Sequence, residues 1–532
     1  MERVISEQDI QELEAPSRPA RSGPVRALTE AWSRETRLHH ICLLSLFTAG
    51  FAVRVVFLFQ PIMHDEALSY EYFVLYGLKT IVSDYTIPNN QILHTVLAHF
   101  SMMFLGNHPW TLRLPAFVAG VLIIPATYIV IRKLLSRNAA LLAVALVVPS
   151  SFLIEYSTNA RGYALQTLLF LLAVLAAVYV KRTGSRNSWI WLVVLSVLAF
   201  YTIPTTAYFF GALVVWLLVS ALLNDVEGDR SRFLLKLGFA VAITMLVVSL
   251  LYLPVVFHSG LKAILSNQYV KSESLRAFTR GLPGNFKDTA GFFAAGMPIA
   301  SAIIVFLGFI ISLIFGRQVA RDRVSLAVVT LLICLMLVFA QRALPPARVW
   351  LPILPLYLGF SAAGLCFAGE KFYNSASGKW PRLTIKRPSL AYQLLVLLVC
   401  ALFVTTVLVW QSPYQAKDQV TFRDAPLIAN LLRDNLQPGD LVYVEQNIRK
   451  ILQYYFLIWK IPSSYLYKWP EDLDTTYENV PRAFVIDAKT EGRPLDQALK
   501  DSNLDPGTPL TLNLVRRFPH STIYVIQNPA LK

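Results

Sequence analysis

Along most of this chain, apolar residues come in long blocks separated by short polar turns. The blocks recur at about 20 residues, the length a helix needs to cross a bilayer. Candidate spans fall at 38–60, 112–131, 139–155, 163–180, 188–203, 205–223, 235–257, 289–315, 324–340, 349–367 and 390–410, about eleven in all. The run QILHTVLAHFSMMFL at 91–105 is shorter and more polar, and it predicts an interfacial helix instead of a span. Beyond residue 411 the pattern changes. APLIANLLRDNL has helical spacing, Pro438-Gly439 marks a turn, LVYVE alternates, NIRKILQYYFLIW is helix-like, and RAFVID and STIYVI are strand-like. The expected fold class is therefore a polytopic all-α membrane protein with a small C-terminal α/β domain. The expected divisions are a disordered polar leader at 1–37, a transmembrane domain at 38–410 and an α/β domain at 411–532.

Charge changes the picture by orienting it. The chain carries a net charge of +15, which taken alone would suggest a nucleic-acid partner. Residues 411–532, however, hold 14 basic and 14 acidic residues, leaving 34 basic against 19 acidic for the rest of the chain. The excess sits in short loops: Arg132/Lys133/Arg137, Lys181/Arg182/Arg186, Arg230/Arg232/Lys236, Arg317/Arg321/Arg323 and Lys371/Lys379/Arg382/Lys386/Arg387. With 91–105 left on the surface, all five clusters fall on the side of the N-terminus, which the positive-inside rule assigns to the cytosol. An odd number of spans then puts the C-terminal domain outside, in a plasma or inner membrane, and no nucleic acid is expected. Trp110, Trp189, Trp350 and Trp410 sit at predicted span ends, where amphipathic rings prefer the headgroup layer. The first 37 residues lack the apolar core of a secretory signal. Cys42, Cys334, Cys366 and Cys400 lie in or beside apolar runs with no paired or metal-type spacing, so no disulfide framework is expected.

Three outer turns carry candidate chemistry. The first is FLFQPIMHDEALSYEYF, where His64-Asp65-Glu66 follows the first span directly. Asp65 could simply cap a helix starting at Glu66. Alternatively, one carboxylate faces a hydrated cavity and acts directly, while the other orients it or binds a cation. Neighbours on a helix project about 100° apart, so the two cannot easily serve one atom. The second turn is IEYSTNARGYALQ, with Glu155, Arg161 and Tyr163 at the lip of two spans. The third is FAQRALPPARVWLPILP, where Arg342 and Arg348 flank a Pro-Pro turn on the side that disfavours arginine. Arginines there suit a phosphate, either lipid headgroup or bound ligand. Arg54 lies within the first span and could snorkel. His258 and Lys262 open the loop 258–288, which also holds Arg276, Arg280 and Lys287. His94 and His99, five apart, read as surface residues. Acids on one outer loop and arginines on others suit transfer of an anionic, lipid-borne group to a hydroxyl or amine. A divalent cation beside the acid pair stays open, and no organic cofactor is expected.

Arg54, then HDEALSY, GNHPWTLRLPAFVAG, RKLLSRNAALLAVAL, YSTNARGYALQ and RVWLPILP, in this order, resemble the GT-C superfamily of membrane glycosyltransferases. The nearest group is the family 39-like set, which includes protein O-mannosyltransferases and the aminoarabinose transferases of lipid A. The resemblance covers roughly 45–360. It implies a polyprenyl-phosphate-linked sugar donor, an active site on the outer face and an acidic catalytic residue in the first loop. By position that role falls on Asp65, with Glu66 beside it, and the donor-phosphate positions are matched by Arg161, Tyr163 and Arg348. The chain departs from its relatives twice: Asn89-Asn90-Gln91 stands where many carry Pro-Pro, and Asn159 stands where Glu is frequent. Glu155 is the nearest substitute acid. The acceptor implied is a lipid, a cell-wall glycan or a protein. Two other readings use the same features, a lipid or sugar-lipid transporter and an inactive membrane scaffold. Against transport, the chain shows no paired half-sequences and no charges deep in several spans.

Overall fold

The computed structural model describes residues 36–265, 272–379, 388–410, 421–467, 480–488 and 513–527. The predicted leader lies almost wholly outside them, as does the start of the predicted C-terminal domain. The helices are α1 Arg37–Leu58, α2 His64–Tyr72, α3 Ile92–Leu105, α4 Pro109–Leu134, α5 Arg137–Val147, α6 Ser151–Ser157, α7 Tyr163–Thr183, α8 Arg186–Thr202, α9 Thr206–Leu222, α10 Arg230–Ser259, α11 Leu275–Ala294, α12 Ile299–Ile314, α13 Leu326–Gln341, α14 Leu354–Lys379, α15 Pro388–Trp410, α16 Ala425–Asn435 and α17 Gln446–Ile458, with a few shorter turns. Strands β1 Asp440–Val444, β2 Arg482–Ala488, β3 Asn513–Arg517 and β4 Ser521–Gln527 form one sheet.

The chain is a multi-pass membrane protein. Six of the described helices are long and apolar enough to cross a bilayer, and eight spans result if each of two bent pairs counts as one. Helices α8, α9 and α13 hold 16 or 17 residues, below the length that qualifies on its own. Both bends have local causes. Between α5 and α6 the axis turns by 66° at Val148-Pro149-Ser150, because Pro149 supplies no backbone N–H. The predicted span 289–315 is not one helix: α11 and α12 meet at 101°. Gly296, at φ 78°, reverses the chain there, and Pro298 caps α12.

Two compact units are present. The first comprises the described parts of Met1–Phe57, Gln91–His94 and Pro115–Tyr414. Its core is a continuous apolar cluster centred on α4–α9 and α14. In it α12 and α14 approach backbone to backbone: a side chain on Gly364 would strike the Gly308 carbonyl, and one on Gly308 the Ser361 carbonyl. Small residues permit this close packing, which lipid tails alone do not drive. At one end of α7, Lys181, 3% exposed, bonds Asp225 at 2.6 Å and Asp322 at 2.8 Å and lies over the Trp216 ring. This knot joins three of the loops that carry the basic clusters.

The second unit comprises the described parts of Leu58–Asn90, Thr95–Leu114 and Gln415–Lys532. The first loop thus belongs with the C-terminal segment, a grouping that the linear pattern does not reveal. The sheet order is β1-β2-β4-β3, with β1 and β2 parallel and the other pairs antiparallel. Arg482 at the start of β2 grips Asp440 at the start of β1 with bonds of 2.9 and 2.5 Å. Asp424, ahead of α16, accepts from the His520 amide and the Ser521 hydroxyl, holding the β3–β4 turn.

Candidate active site

The segment Met63-His64-Asp65-Glu66 starts α2, and Glu66 closes a capping box by accepting the Met63 amide at 2.8 Å. A second partner comes from the start of α4. Arg113, fully buried, donates from Nε to Glu66 Oε1 at 2.7 Å and from Nη2 to Oε2 at 2.6 Å. Its remaining donors reach the carbonyls of Leu58 at 2.8 Å, Gln60 at 2.6 Å and Pro61 at 2.9 Å. All five guanidinium N–H groups are therefore used. Three serve carbonyls at and just beyond the end of α1, which a helix C-terminus leaves without partners. Glu66 is 1% exposed with both oxygens engaged, so it ties the start of α2 to Arg113.

Asp65 is different. Its side chain is 26% exposed, and Oδ1 lies 3.4 Å from Asn89 Nδ2 and 3.6 Å from His64 Nδ1. It is a carboxylate at a water-accessible edge, beside a neighbour that the Arg113 knot immobilises. Asn89, one of the residues replacing Pro-Pro, also accepts from the Ser69 hydroxyl through its carbonyl. Asn90 closes the same loop through the Ile81 and Asp84 carbonyls, both at 2.7 Å.

The first unit holds another polar cluster, at the α6–α7 turn. Arg161, 5% exposed, stacks over the Tyr163 ring at 5.3 Å, and Tyr163 meets Tyr156 edge-on at 5.0 Å. Tyr156 lies in the field of Glu155, Arg161 and Arg348. Arg161, Tyr163 and Glu155 of one predicted turn thus surround Tyr156, and the charge of Arg348 from another reaches the same ring. His94 joins them. Read as a surface residue, it is in fact 2% exposed, and burial together with the Arg161 charge pushes it down to about 3. Gln91 anchors this part of the chain by accepting the Gly162 amide. Asn159 is fully buried, and neither amide atom has a bonding partner among the described residues; the same holds for His94 Nε2. Buried polar atoms of this kind ask for a water or a ligand.

Other predicted residues lie apart from this cluster. Arg342, His258 and Lys262 are exposed, and none of the described contacts joins them to Arg161 or Arg348. Arg54 does not snorkel. It is fully buried, bonding the Gly50 carbonyl at 3.0 Å, Ser157 Oγ at 3.3 Å and the Val148 carbonyl at the α5–α6 bend at 3.4 Å. Sequence reasoning did not single out Arg113, although it too is an arginine at a predicted outer end of a span, the signal that singled out Arg342 and Arg348.

A sequence model of the family described as dolichyl-phosphate-mannose-protein mannosyltransferase matches residues 90–255. No curated protein matches the sequence. Among solved structures, ArnT from Cupriavidus metallidurans in the apo state is similar at TM-score 0.53 and 14% identity, over 91% of this chain and 97% of that one. The same protein bound to undecaprenyl phosphate gives 0.53 at 13%, with the same coverage. The archaeal oligosaccharyltransferase AglB from Archaeoglobus fulgidus, in complex with an inhibitory peptide and a dolichol-phosphate, gives 0.51 at 14%, over 84% of this chain and 69% of that one. The GT-C resemblance read from the motifs is thus matched by the fold of the chain.

Proposed function

We propose that this protein is a membrane glycosyltransferase that moves a sugar from a polyprenyl-phosphate donor to a lipid, cell-wall glycan or protein acceptor on the outer face of the membrane. The observation that carries the reading is the contrast within one acid pair. Glu66 is buried and saturated, whereas Asp65 is held beside it, open to solvent. A pre-positioned carboxylate is what proton abstraction or stabilisation of a positive sugar carbon requires. In the proposed step the acceptor oxygen or nitrogen attacks the anomeric carbon. Its proton passes to Asp65, and the carbon–oxygen bond to phosphate breaks with its electron pair leaving on polyprenyl phosphate. Arg161 and Arg348 would neutralise that leaving group. The lipid phosphates bound by ArnT and AglB support a donor of this class. In this reading the N-terminus is cytosolic, eleven segments cross, and the C-terminal segment is extracytoplasmic; the loop arginines support that orientation.

Asp65→Asn tests the assignment. Asp65 lies in the first turn of α2, behind the cap at Met63, and is partly exposed. The isosteric amide should therefore cost only a few tenths of a kcal/mol, about what the helix dipole gives a first-turn acid, and the variant should fold and insert normally. A general base typically contributes about 10²- to 10⁴-fold in rate, which the amide forfeits. Release of polyprenyl phosphate from a labelled sugar donor should therefore nearly vanish. The cap of α2 is Met63 and not Asp65 as the sequence suggested, so near-normal turnover by this variant would leave Asp65 as an ordinary first-turn residue of that helix.

A further inference from the structure

Helix α2 has nine residues, too few to be stable in water without outside support. The C-terminal segment grips it at both ends. At the N-terminal side the Ile62 amide donates to the Tyr455 hydroxyl at 3.2 Å, and Met63 forms an antiparallel bridge with Thr421. At the C-terminal side Glu71 Oε1 accepts from Lys450 Nζ and Gln453 Nε2, both at 2.7 Å. Lys450 also sits 5.0 Å over the Tyr72 ring, and between the two grips Tyr454 meets Tyr70 edge-on at 5.0 Å. Lys450, Gln453 and Tyr454 are spaced i, i+3, i+4, so one face of α17 supplies the grip. Tyr454 and Tyr455 are 1% and 4% exposed. Burial pushes both phenols above their ordinary range, so they remain protonated donors and acceptors at neutral pH.

We infer that the C-terminal segment, through α17, is the positioning element of the active site, with Tyr455, Lys450 and Gln453 setting the place of Asp65 from behind. The inference rests on the reading of Asp65 as the catalytic base. Ile62 and Met63 lie three and two residues before Asp65, so a backbone held there fixes where the carboxylate stands. Misplacement by about 1 Å can cost on the order of 10²-fold in rate. None of the three positioning residues need touch substrate.

The test uses the full-length protein in lipid nanodiscs. Tyr455→Phe removes one hydroxyl while keeping the ring, and Glu71→Lys with Lys450→Glu reverses the second grip. We expect Tyr455→Phe and Glu71→Lys each to lower kcat about tenfold or more while KM for the lipid-linked donor stays within about twofold. The doubly reversed protein should regain most of the lost kcat. Hydrogen–deuterium exchange supplies a readout independent of turnover: peptides covering 60–73 should exchange faster in the single variants, and more slowly again in the reversed pair. Unchanged exchange in that stretch, or faster exchange with kcat intact, overturns the positioning role. Failure of the catalytic reading shows separately, as an Asp65→Asn protein that still turns over.

Discussion

Removing the guanidinium of Arg113 should damage this protein more than any exposed substitution near Asp65. Five bonds of 2.6–2.9 Å end on that side chain, two on Glu66 and three on carbonyls at and just beyond the end of α1. Arg113→Ala leaves Glu66 buried without its cation, and breaking a buried pair from one side costs roughly 3–5 kcal/mol. The orphaned carbonyls add to this, although water entering the vacated space offsets part of it, so about 5 kcal/mol is expected. That is comparable to the whole stability of a marginal domain. Arg113→Lys keeps the charge but brings three donors without a fork, and should cost on the order of 2 kcal/mol. Glu66→Gln falls between them, because its amide NH₂ must face an N–H donor of Arg113 or Met63. The order is measurable as unfolding free energy in mixed micelles, and Arg113→Ala with Glu66→Ala should be less damaging than the two single effects added. An Arg113→Ala protein within about 1 kcal/mol of wild type, or strict additivity in the double variant, would refute the reasoning.

The remaining predictions follow from the other cluster and from topology. Arg348→Ala should raise KM for the lipid-linked donor by about 10- to 100-fold, the worth of a hydrogen bond to a charged group, and Arg348→Lys by less, since lysine loses only the bidentate geometry; donor titration of purified variants checks it. His94 titrates near 6.5 when unfolded but near 3 in the fold, so the unfolded chain binds the extra proton between these values. Stability should therefore fall as pH drops from about 6.5 toward 3, by at most about 1.4 kcal/mol per pH unit, and His94→Gln should flatten that part of the unfolding profile. A reporter fused after Asp288 should be active outside the cytosol; activity on the cytosolic side at that point would remove the eleven-span arrangement.

Most helices were legible because a bilayer demands long apolar blocks, and those blocks end at Gly, Pro and arginine. Breaks inside a block were less visible. Pro149 and the Gly296–Pro298 corner interrupt runs whose hydropathy continues across them, and hydropathy carries no angle. In the C-terminal segment the strands LVYV, RAFVID and STIYVI coincide with β1, β2 and β4, whose buried positions give the pattern. β3 was not foreseen: its five residues, Asn513–Arg517, are all exposed at a sheet edge, so no buried face marks them. In the site, Asp65 and Glu66 stood out as a local pair. The burial of Glu66 against Arg113 did not, because Arg113 stands 47 residues beyond Glu66 and a single sequence contains no sign of who meets whom at that distance. His94 was misread for a related reason. Its short helix looked peripheral, and burial beside Arg161 is a property of the fold.

The grip of α17 on α2 also sets an order of events during synthesis. Glu71 waits 379 positions for Lys450, so its partner does not exist until most of the chain has left the ribosome. Arg113 can tie Glu66 early, once α1 and the start of α4 have been made. The second hold on Asp65's helix comes only when residues 421–458 have been made and have reached the same side as the first loop. A half-made chain can thus hold α2 through Arg113 alone, and residues made much later complete the first loop.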